Sequence, residues 1–182
     1  MEVYLQQTGG GYAAPVRLEF SQGTWLYHMV SIDLQGDRRT EWAVSQEFGS
    51  RPELVIYRLN AGQLQVHQRL ASVQADLLAV GDLNQDGRPD VVAASPNTGR
   101  MEVFSNDGAG RLLAGAHSYF GAVETSSLVL VDVDGDQRLD VLTGPLLNLG
   151  RAAPVLSAAT RWRGLPPLSS VRDSRSAANH TR

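Results

Sequence analysis

An acidic loop between two apolar runs returns at nearly fixed spacing, and no other feature restricts the fold of this chain as strongly. LLAVGDLNQDGRPDVVAAS runs from Leu77 to Ser95, and SLVLVDVDGDQRLDVLTG from Ser127 to Gly144. Their leading acids, Asp82 and Asp132, are 50 residues apart. Asp33 stands 49 residues before Asp82, inside YHMVSIDLQGDRRTEWAVS. Each copy reads apolar strand, acidic loop, apolar strand. A fixed period of this length marks a stack of like units, each one supersecondary element.

The match extends beyond the loops. NTGRMEVFSNDGAGRLL (97–113) resembles the opening MEVYLQQTGGGYAAPVRLEF, with Met101-Glu102-Val103-Phe104 against Met1-Glu2-Val3-Tyr4. SRPELVIYRLNAGQLQVHQRL (50–70) holds the same place in the first copy. Each unit therefore has four short β-rich runs, the last two around a turn such as Ala61-Gly62 or Asp107-Gly108. Four antiparallel strands per period of about 40–50 residues is the pattern of a propeller blade. The expected fold is all-β, with about three and a half blades. Half a blade falls at 1–20, and blades fall at about 21–70, 71–120 and 121–157. The last blade is ragged after Thr143. Residues 158–182, rich in Arg, Ser and Pro, lose the apolar pattern and read as a disordered tail. A partial propeller leaves strand edges open. The chain then needs further blades, an oligomer, or pairing of its opening strands (1–5 and 12–20) with the final pair (127–131 and 140–143).

Counted from its first acid, the second loop offers Asp82 (1), Asn84 (3), Asp86 (5), the Arg88 carbonyl (7) and Asp90 (9). The third offers Asp132, Asp134, Asp136, the Arg138 carbonyl and Asp140. Alternating oxygen donors on a tight turn, without His or Cys, suit calcium best. An EF-hand needs a Glu at position 12 and helices on both sides. Position 12 is Ala93 or Thr143, and the flanks read as strands. The first loop, Asp33, Gln35, Asp37, the Arg39 carbonyl and Glu41, departs from the pattern at positions 3, 6 and 9 and reads as weak or empty. In the third loop Gln137 stands where the second has Gly87, an expected source of strain. Two calcium sites are expected, in the second and third loops, with a site in the first loop doubtful.

These residues resemble the FG-GAP and VCBS repeats, found in integrin α-subunit propellers and many exported microbial proteins. Their calcium loop is D-x-[DN]-x-D-G-x-x-D followed by apolar residues. The resemblance covers about residues 1–157. It implies calcium held between the first two strands of a blade. It also implies an adhesive or interaction module with a protein or glycan ligand, at an extracellular, cell-surface or periplasmic location.

Composition agrees. There is no cysteine, so neither a disulfide nor a thiolate metal site exists. All sixteen basic residues are Arg, five of them after residue 157, which leaves residues 1–157 at net −7. An acidic body does not suit nucleic acid. No apolar run reaches the roughly 20 residues of a membrane span, and no signal peptide is visible. His28, His67, His117 and His180 share no ligand spacing, and no catalytic constellation appears. Trp25 and Trp42 are expected to fill space between blades. The alternatives are a scaffold or accessory part of an extracellular enzyme, such as a polysaccharide lyase or phospholipase, and a remnant with no independent role.

Overall fold

The computed structural model describes residues 1–114, 118–120, 126–144 and 146–148. The tail and the end of the last repeat lie outside them, as do His117 and His180. The described residues contain no helix, and every paired strand is antiparallel. The described residues are all-β, arranged as blade-like sheets that do not close into a ring among themselves.

An opening pair, β1 (Glu2–Val3) and β2 (Val16–Arg17), comes first. A four-stranded meander follows: β3 (Thr24–Ile32), β4 (Glu41–Phe48), β5 (Arg51–Asn60) and β6 (Gln63–Ala71). The middle sheet repeats this order with β7 (Leu77–Gly81), β8 (Asp90–Ser95), β9 (Arg100–Phe104) and β10 (Ser118–Phe120). The last sheet holds β11 (Leu128–Val131), β12 (Asp140–Thr143) and β13 (Leu146–Asn148).

The sheets stack because successive side chains of a strand point to opposite faces. In β8 all six residues are buried, and the alternation assigns each to a neighbour. Val91 and Ala93 face the first meander and join Ile32, Leu54, Ile56, Leu78 and Phe104. Val92 and Ala94 face the other way and join Met101 and Val141, with Leu128 and Leu130 packed alongside. A strand covered on both faces reads as a continuous apolar run, as Val91-Val92-Ala93-Ala94 does. Gly81 sits where two sheets meet, and a Cβ there would lie 2.6 Å from Leu139 Cδ1. The first strands line up along one side, β3 against β7 and β7 against β11.

Among the described residues the opening strands do not pair with the last sheet. They pair with each other and pack on the first meander, where Met1, Leu18 and Phe20 meet Val44, Val55 and Tyr57. Phe20 meets Tyr57 edge-on, with ring centroids 5.9 Å apart. The opening hairpin repeats the turn of the middle sheet at an offset of 100 residues. Bridge Gln6↔Tyr12 matches Asn106↔Leu112. The bond from Gln7 N–H to the Gly11 carbonyl matches Asp107 to Arg111, and Ala13 to Leu5 matches Leu113 to Ser105. Trp42 packs beside Tyr57, as expected of a space filler. Trp25 does not: it is 68% exposed, on the edge strand β3.

Candidate metal loops

Each acidic loop joins the first two strands of a sheet, and all three share one hydrogen-bond plan. The first acid folds the loop around itself. Asp33 accepts from the N–H groups of Gly36, Asp37 and Arg38. Asp82 accepts from Asp86 and Gly87, and Asp132 from Gly135 and Gln137. Burial raises the Asp33 pKa, but these N–H dipoles outweigh it and hold the carboxyl below its ordinary value. The fifth residue, Asp37, Asp86 or Asp136, accepts from the N–H of Arg39, Arg88 or Arg138. Those residues' side chains lie outside: the Arg39 and Arg88 guanidinium groups curl back to within 3.9 and 4.0 Å of Asp37 and Asp86.

The ninth residue fastens the loop to the sheet. Glu41, Asp90 and Asp140 are all buried, and each accepts from the N–H of the loop's second residue, Leu34, Leu83 or Val133. Asp90 also accepts from Asn106 N–H with its other oxygen. Burial pushes its pKa up to about 6, with the nearby charges of Asp86 and Asp82 adding to the shift and the two N–H bonds opposing it. Spacing alone offers these residues as candidate donors to an ion. It does not show that they also bridge loop and strand, because a carboxylate's direction is not written in its position.

The backbone shows the strain expected at Gln137, and shows that the other two loops carry it as well. Positions 4 and 6 are left-handed in all three loops. They are Gly36 (φ 69°) and Arg38 (64°), Gln85 (61°) and Gly87 (80°), and Gly135 (79°) and Gln137 (66°). Every loop thus has one glycine and one strained non-glycine residue. Gln137 is no exception to the pattern, because Gly135 supplies the other left-handed position.

The donors gather most closely in the third loop. Asp132, Asp134 and Asp136 each offer a carboxylate oxygen within 4.8 Å of the others. Two oxygens that each stand 2.3–2.6 Å from one Ca²⁺ are at most about 5 Å apart, so this set can share an ion. It is the one such acidic group among the described residues, and Asp140 is not part of it. In the second loop Asn84 accepts from Asp86 N–H, and its own amide donates to the Asp86 carboxylate at 3.1 Å. In the first, Gln35 rests on Gly110 of the middle sheet.

Further polar contacts hold the loops and sheets in line. Gln85 donates to the Gln137 carbonyl, joining the second loop to the third. Buried Asn106 donates to the Leu34 carbonyl, joining the middle sheet to the first loop. His28 accepts from Leu78 N–H, and His67 bonds the Gly110 carbonyl, so both are used between sheets.

The fold and these loops define an all-β repeat protein whose units are blade-like sheets carrying acidic loops. The family model of the FG-GAP-like repeat matches residues 82–143, from the first acid of the second loop to the end of β12. That segment is similar to an FG-GAP-like repeat. No curated protein and no solved structure matches the chain. Among the described residues no helix is long and apolar enough to cross a membrane.

Proposed function

We propose that the chain is a calcium-binding module of propeller type that presents its loops to a protein or glycan partner outside the cytoplasm. The observation that carries the reading is the Asp132, Asp134, Asp136 group, a hard-oxygen set of a size to share one Ca²⁺, in a loop plan that occurs three times. The FG-GAP-like match at 82–143 supports it, since repeats of this kind commonly hold calcium in this loop. Asp82, Asn84, Asp86 and the Arg88 carbonyl, with Asp90 behind them, would form the second site. The ion would neutralise carboxylates that otherwise repel one another, and the chain's own N–H groups already hold the loop in shape. The module acts as a scaffold and has no catalytic role.

Thermal unfolding in EDTA, in CaCl₂ and in MgCl₂ tests this. At calcium one hundred times Kd, each site adds roughly 2.7 kcal/mol. For a domain of this size that raises Tm by several degrees per site. The rise should be specific to calcium and shrink in Asp82→Ala and again in Asp132→Ala. Equal Tm in all three buffers would defeat the reading.

A further inference from the structure

We infer that two copies of this chain join head to tail, β1 and β2 of each completing the last sheet of the other, to close a ring of six four-stranded sheets. The inference starts from the twin hairpins. Residues 1–13 and 101–113 share sequence and hydrogen bonding at an offset of 100. In the middle sheet the twin strand β9 bonds β8, with Val103 opposite Val92. β1 pairs only with β2, so the corresponding edge of β1 is open among the described residues. The counterpart of β8 fifty residues on is β12.

Exposure shows the same shortfall. Phe104 and Leu112 are 0% and 2% exposed, because the first meander covers that face of the middle sheet. Their twins Tyr4 and Tyr12 are 53% and 67% exposed. On the last sheet Leu128 and Leu130 pack on the middle sheet, while Val129 and Val131 are exposed. On the first meander the edge strand β3 exposes Met29. The middle sheet, covered on both faces, exposes one large apolar residue among its described residues, Leu113.

One second copy accounts for all three surfaces. Set beside β12 in the register of β9 on β8, β1 places Val3 opposite Leu142 and Tyr4 opposite Val141. Tyr4 and Tyr12 then face the middle sheet of the other copy, as Phe104 and Leu112 face the first meander. The valine face of the completed sheet meets Met29 on β3. Strand β13, whose Leu147 lies opposite Leu142 in the single chain, gives way to β1. Each chain contributes two full sheets, and the two shared sheets bring the total to six. Propellers typically have four to eight blades. The contact continues the face-to-face packing already present between the sheets of one chain.

The full chain has no cysteine, so crosslinking is clean. Light scattering after gel filtration should give twice 19.7 kDa. The double variant Val3→Cys with Leu142→Cys should oxidise to a covalent dimer on a non-reducing gel. Tyr12→Glu should halve the mass, with the circular dichroism spectrum unchanged, and Val131→Glu on the other surface should do the same. A monomer at about 100 μM, a disulfide closed within one chain, no disulfide, or a larger open assembly would each overturn the proposal.

Discussion

At the residue scale the loops carry a built-in cost. A left-handed backbone costs a non-glycine residue about 1–2 kcal/mol. Arg38, Gln85 and Gln137 all bear it. Gln137 lends the fold its carbonyl, which accepts from Gln85, and its N–H, which bonds Asp132. Both groups survive in glycine. Gln137→Gly should therefore raise stability by about 1 kcal/mol, and Gly135→Ala should lower it by a similar amount. Equilibrium urea unfolding reads both. No atom stands within 4 Å of a Cβ at Gly135, so the loss would be of backbone origin alone.

Asp90 gives a second prediction at this scale. Its pKa rises from 3.8 to about 6 on folding, chiefly through burial. The folded chain therefore holds a proton that the unfolded chain has released between those values. Stability without calcium should fall as pH rises from about 4 to 6 and level off above, by about 3 kcal/mol from this group alone. Unfolding in EDTA across pH 4–8 measures it. Saturating calcium, which favours the ionised carboxylates, should flatten or reverse the slope.

At the element scale the joint between the first two sheets is polar as well as apolar. Gln68 on β6 donates to the Leu112 carbonyl at 2.7 Å and accepts from Leu112 N–H at 2.9 Å. Both partners are buried, so Gln68→Ala leaves a backbone donor and acceptor without partners and should cost about 2–4 kcal/mol. Gln65→Ala, exposed on the same strand, should cost under about 0.5 kcal/mol. Chemical denaturation of the two variants side by side checks the difference. The strands that flank this joint were legible in the sequence, because Val91-Val92-Ala93-Ala94 and its repeats fix both period and burial. The acids of the loops were legible as a set of oxygen donors for the same reason. The joint itself was not legible. Gln68 and Leu112 are 44 residues apart, and neither belongs to the repeated loop. The bond from Leu83 to Asp90 was hidden for a different reason: spacing gives a side chain's place along the chain but not the direction it turns. The second left-handed position was masked because the glycine alternates between positions 4 and 6 from copy to copy. Trp25 was misplaced because an aromatic residue on an edge strand packs only if a sheet lies beside it.

At the scale of the whole molecule, the order of the sheets sets a gradient of stability. In a stack each unit touches only its neighbours, so its stability is its own plus that of its interfaces. The middle sheet has two such interfaces, built around Val91 and Val92 on opposite faces. Among the described residues the last sheet has one, and the opening pair rests on a single cluster around Tyr57. Amide exchange of a dilute sample should therefore be slowest in β8 and β9, faster in β11 and β12, and fastest in β1 and β2. The gradient also depends on conditions in a way that separates two effects. Calcium bound at Asp132, Asp134 and Asp136 would tie β11 to β12, and should slow exchange there at any protein concentration. A second copy would cover β1 and the valine face together, and should slow both as the protein is concentrated, with β8 unchanged. Exchange that is uniform across all sheets would mean that the chain opens as one cooperative unit.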